Sequence, residues 1–146
     1  MTQFYYLSAK IPLEGGFFGE TSIRSRKGHP VRSGANAAGI YIENIEAASI
    51  HMKLPYQVQV HTHIGTFAMN RPVHSEEDLM CLKILFSYIK DVMKNSFSIE
   101  WYTAWAGEED MEISKKRELV LSEFTSPSQL ILEDREYLRI VQKKWQ

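Results

Sequence analysis

Cysteine is nearly absent from this chain: Cys81 stands alone, so no internal disulfide can form and a reducing, cytoplasmic setting is expected. An excess of either charge is missing as well. Seventeen Lys and Arg face eighteen Asp and Glu, and the formal net charge of −1 supplies no long-range field that would draw nucleic acid or an anionic membrane. No apolar run approaches the ~20 residues of a membrane-spanning helix, and the start Met1-Thr2-Gln3-Phe4-Tyr5-Tyr6 lacks a basic stretch followed by an apolar one. Neither membrane insertion nor export is therefore expected. A glycine-rich phosphate loop, a dinucleotide fingerprint, a CxxC zinc framework, internal repeats and low-complexity tracts are also missing.

What is present is enough apolar material for one core. The length of 146 residues suits a single domain over 1–146, and an aromatic share of 12% leans the reading toward sheet. The clearest pattern runs from Tyr56 to Lys94. Tyr56, Val58, Val60 and Ile64 alternate with Gln57, Gln59, His61 and His63, giving a strand with one apolar and one polar face. Ser75-Glu76-Glu77-Asp78 has the form of a capping box, after which Leu79, Leu82, Leu85, Phe86, Ile89, Val92 and Met93 make an apolar stripe. A helix over 75–94 packed on a sheet is the expectation.

Around that unit, Tyr5, Leu7, Ala9 and Ile11 against Phe4, Tyr6, Ser8 and Lys10 read as a first strand, ended by Pro12 and Gly15-Gly16. Phe17-Phe18 and Ile40/Ile42 read as short strands, and 44–53 as a short helix capped by Asn44. Between them Arg24, Arg26, Lys27, His29 and Arg32 crowd a loop that reads as solvated. Gly65 to His74 is a loop longer than the ~4–6 residues usual in compact domains. Phe97, Ile99, Trp101, Thr103 and Trp105 mark a second strong strand. Gly107-Glu108-Glu109-Asp110 is an acidic turn, and 118–124 a further strand. The segment 128–142 fits either a hairpin across Asp134-Arg135 or a helix. The fold class expected is α+β: a mainly antiparallel sheet of about five or six strands with the long amphipathic helix on one face.

The only constellation with chemistry in it lies in the central unit. Imidazoles at i and i+2 of a strand share a face, so His61 and His63 could hold one zinc ion, with Asp78 as a third protein ligand and an open position for water. His61-Thr62-His63 followed by Ser75-x-x-Asp78 resembles the JAMM (MPN-type) zinc metallopeptidase motif, although Ile64 stands where that motif has proline. The resemblance implies zinc held by His61, His63 and Asp78, and by position it makes Glu14 the general base. The same residues also have a structural reading: the histidine pair as a solvent-facing surface beside Gln57 and Gln59, and Asp78 as a helix cap.

Over most of its length the chain is also similar to small uncharacterised bacterial α+β proteins of unknown activity. The likeness is carried by Tyr5-Tyr6-Leu7, Leu54-Pro55-Tyr56, the Ser75-capped helix, Trp101 to Gly107 and Glu133 to Val141. It implies a fold and no function. The reading that accounts for most residues is a small non-catalytic cytoplasmic binding or interaction protein without a cofactor. The alternative is a JAMM-like zinc-dependent peptidase or isopeptidase-like hydrolase. For the former, Tyr6 and Tyr102 on the outer side of the sheet are the expected contact surface for a protein partner or for a C2 homodimer.

Overall fold

Period-two alternation builds a single sheet. In the computed structural model residues 3–19, 39–62 and 76–143 are described, and among these lie seven strands: β1 (Gln3–Ala9), β2 (Gly16–Gly19), β3 (Gly39–Ile45), β4 (Tyr56–Thr62), β5 (Ser98–Trp105), β6 (Lys115–Val120) and β7 (Glu136–Val141). One helix, α1 (Glu76–Val92), stands between β4 and β5. The spatial order is β2-β3-β4-β1-β5-β7-β6, antiparallel throughout except that β6 and β7 run parallel. The α+β class holds, but the sheet is larger than the expected five or six strands, and it is mixed.

The parallel pair has a local cause. After β6 the chain makes two single helical turns, Leu121–Glu123 and Pro127–Leu130, and so re-enters the sheet in its original direction. Ser126 accepts from Ser128 N and Pro127 occupies the first position of the second turn, where its missing N–H costs nothing. Neither alternative expected for 128–142 forms. Leu130 is buried at the end of the second helical turn and Leu132 in the link after it, the Leu130 carbonyl accepts from Trp101 Nε1 at 2.8 Å, and only 136–141 pairs as a strand.

On one face of the sheet α1 covers the main core. Cys81, Leu82, Leu85, Ile89 and Met93 meet Tyr5, Leu7, Val58, Val60, Ile99, Trp101, Leu138 and Ile140, with Tyr5 stacked on Trp101 at 5.5 Å between ring centroids. Leu79 departs from the expected stripe and is 48% exposed. One residue advances a helix by about 100°, which swings Leu79 away from the sheet while its neighbour Asp78 is buried. The expected cap Ser75 lies outside the described residues. At the far edge, β3 starts at Gly39, where any Cβ would fall 2.3 Å from Phe17 Cζ; only glycine lets β2 approach so closely. No helix among the described residues is long and apolar enough to cross a membrane.

The opposite face carries a second, smaller core of Tyr6, Met52, Tyr102 and Ala104, with Phe4, Ile45, Ala48, Ile113 and Tyr137 against it. The helix expected over 44–53 is absent. Its backbone donors are claimed by side chains elsewhere: Ala48 N by Gln57 Oε1 at 2.6 Å, Ile50 N by Asp110 Oδ1 at 2.9 Å, and Lys53 N and Leu54 N by Glu100. Side-chain acceptors from other segments thus take the donors that a helical ladder would need. The segment is thereby laid across the sheet. Tyr6 and Tyr102, expected at an exposed contact surface, are 5% and 0% exposed beneath it.

Candidate functional site

A buried carboxylate lies on this second face. β5 is buried along both sides, and Glu100 sits in its middle, 2% exposed, between Ile99 and Trp101 in sequence. A carboxylate there needs donors, because an isolated buried charge is very costly. Four groups supply them: Ser8 Oγ at 2.6 Å, Lys53 N at 2.8 and 3.1 Å, Leu54 N at 2.9 Å, and the hydroxyl of Tyr137. Glu100 thus ties three neighbouring strands, β1, β5 and β7, to the 53–54 backbone.

Tyr137 carries this anchor outward. Its ring joins the second core, and its hydroxyl faces Glu100. Burial first, then the hydrogen bond to Glu100 and that carboxylate's charge, push the phenol well above its ordinary range, and Arg139 alone opposes them noticeably. The hydroxyl is a fixed neutral donor.

Above Tyr137 a cleft of about 580 Å3 opens between the 51–53 segment and strands β6 and β7. Parallel register sets Lys116 beside Tyr137 and Glu118 beside Arg139, all four on this face. His51 closes one side. Its ring meets Tyr102 edge-on at 5.6 Å, and its Nε2 lies 2.7 Å from the Met111 carbonyl, which can only accept, so the proton sits on Nε2. Lys53 Nζ donates to Ile50 O at 2.9 Å at the rim. Arg117 borders the cleft through its place in β6, but its guanidinium belongs to the other face, where it holds Glu136 and donates to Gln129 O at 2.8 Å. The volume falls in the range of small-molecule sites.

A larger cleft of about 770 Å3 runs between α1 and the 11–19 link. Tyr88 anchors it, donating its hydroxyl to the Glu14 carbonyl at 2.8 Å and meeting Phe18 edge-on at 5.1 Å. Burial, then the charges of Glu14 and Asp91, raise the Tyr88 phenol as well.

The residues singled out by the motif are distributed as follows. His61 projects from the face opposite α1, its Nε2 2.9 Å from Glu43 Oε1 and its ring 6.1 Å from that of Tyr41. Asp78 is buried in the first turn of α1. Glu14 is exposed in the link between β1 and β2, beside the larger cleft. His63 lies outside the described residues, as do the basic loop and the 65–74 loop. Among the described residues no group of three or more His, Cys, Asp or Glu side chains is placed to hold a metal ion.

The cleft over Tyr137 was not anticipated from sequence. The available signal was Glu100 itself, a charge in the middle of an otherwise apolar and aromatic strand. Compared with protein-family models, with curated proteins and with solved structures, the chain matches none of them. What the site does is therefore argued from its geometry.

Proposed function

We propose that this chain is a small non-catalytic binding protein and that its ligand occupies the cleft over Tyr137. The observation that carries this reading is the Glu100–Tyr137 anchor: it gives an open, ligand-sized cleft a rigid polar floor. Preorganisation of this kind favours binding, because little ordering remains to be done when the ligand arrives. The same anchor speaks against acid–base work there. Both oxygens of Glu100 are occupied by structural donors, and the raised Tyr137 phenol has no tendency to ionise at neutral pH.

The test is a chemically mixed set of fragments added to isotope-labelled protein, followed by amide NMR. Shifts are expected to cluster on His51, Ile113, Tyr137 and Arg139, with every bound fragment recovered unchanged after long incubation. Clustering along α1 and Glu14 instead, or turnover of a fragment, would overturn the reading. The zinc-hydrolase alternative is separated on the same preparation. It requires about one zinc per chain, lost on His61→Ala or His63→Ala, whereas the binding reading has no use for a metal.

A further inference from the structure

We infer that the cleft over Tyr137 takes a small oxyanion, of the phosphate-monoester or carboxylate kind, attached to a compact apolar body; this rests on the binding reading above. Three cations line the cleft, Lys53, Lys116 and Arg139, against a single rim carboxylate, Glu118. Glu118 is already committed, 3.5 Å from Arg139 Nη1, with both side chains nearly half exposed. The buried Glu100 charge behind the floor is held by four neutral hydrogen-bond donors and lies on the far side of the Tyr137 hydroxyl.

That leaves Lys116 exposed and without an ion-pair partner among the described residues, and register holds it directly beside Tyr137. Lys53 spends one of its three N–H groups on the Ile50 carbonyl, which fixes its ammonium at the mouth and leaves donors over. Arg139 offers a planar fork suited to an oxyanion, at present shared with Glu118. Ile113 and the Tyr137 ring give the cleft an apolar wall for the remainder of the ligand. A strongly solvated cation pair beside a neutral floor is a poor fit for a cationic or wholly apolar ligand, and a good one for an anionic head on a short apolar body.

The experiment compares three compounds that share one ring: phenyl phosphate, benzoate and benzyl alcohol, titrated into the full chain by amide NMR at low and at high salt. The expected result is that phenyl phosphate or benzoate binds at Tyr137 and Arg139, that salt weakens it, and that Lys116→Glu weakens it about tenfold or more. Whichever of the two binds more tightly identifies the head group. Glu118→Gln supplies the decisive variant, since it frees Arg139 and removes the opposing charge: it is expected to tighten binding, which a merely structural role for Glu118 would not do. Benzyl alcohol binding in the cleft as well as the two anions would overturn the oxyanion assignment while leaving the binding cleft standing. Binding by none of the three would overturn the assignment too, and fragments from the mixed set appearing in the cleft would still uphold the binding reading. Unchanged affinity in both Lys116→Glu and Glu118→Gln would likewise overturn it.

Discussion

The hydroxyl of Tyr137 donates to Glu100 Oε2 from the neighbouring strand, and it is this contact that joins the interior of the sheet to the cleft above it. The Glu100 carboxylate also receives the N–H groups of Lys53 and Leu54 and the Ser8 hydroxyl. Glu100→Ala therefore strands several donors at once, and the expected loss is about 3 kcal/mol of unfolding free energy or more. Tyr137→Phe removes one donor from a charged acceptor that keeps the rest, for an expected loss of about 1.5–3 kcal/mol. Urea unfolding of the two variants checks the ordering; a Glu100→Ala loss below that of Tyr137→Phe would show that the 53–54 segment is held by something else.

Alkaline pH should reach the same region. Tyr6, Tyr88, Tyr102 and Tyr137 all hold their protons more tightly in the folded chain than at the ordinary value of about 10, burial being the largest cause in each, and the Tyr102 phenol is pushed up to about 12. Above pH 10 the unfolded chain releases tyrosine protons that the folded chain retains, so rising pH favours unfolding. Stability is accordingly full below about pH 10 and is lost as pH climbs through the folded values. Urea midpoints measured from neutral pH upward should fall above 10, and Tyr137→Phe should soften that fall. Midpoints that stay level into strongly alkaline solution would count against the phenols being buried in the native state.

The parts of this structure legible in the sequence are those set by periodicity. Val58 and Val60, Ile99 and Trp101, and the run Leu82, Leu85, Ile89 and Met93 are all buried where alternation or helical spacing places them. The second face was not legible for a physical reason. Segment 44–53 has a helical spacing of apolar residues, yet the backbone donors of Ala48, Ile50 and Lys53 go to Gln57, Asp110 and Glu100, acceptors up to 60 residues away. Pattern reading sees neighbours in sequence and misses such partners. Covering of Tyr6 and Tyr102 followed from that one rearrangement, and so did the cleft. The parallel placement of β6 was hidden for a similar reason, since Pro127 announces a break without saying in which direction the chain resumes.

Arg117 separates fold from site, because it borders the cleft while its side chain works on the other face. Its Nε pairs with Glu136 Oε2, and Glu136 is only 2% exposed; Oε1 of the same carboxylate accepts from Glu133 N at 2.7 Å. Arg117 Nη2 also donates to Gln129 O, so one guanidinium links β6, the start of β7 and the turn between them. Arg117→Ala would leave a buried carboxylate with a single backbone donor, and the expected destabilisation is about 3–5 kcal/mol. Replacing both partners, Arg117→Met with Glu136→Met, removes the stranded charge and should recover most of that loss. Affinity for phenyl phosphate, measured on the folded fraction of Arg117→Ala, should stay within about twofold of the parent, because the guanidinium is held away from the cleft by Glu136 and the Gln129 carbonyl. A large drop in affinity there, matched to that of Lys116→Glu, would mean that the guanidinium turns into the cleft when an anion arrives, and that the β6 edge is rebuilt on binding.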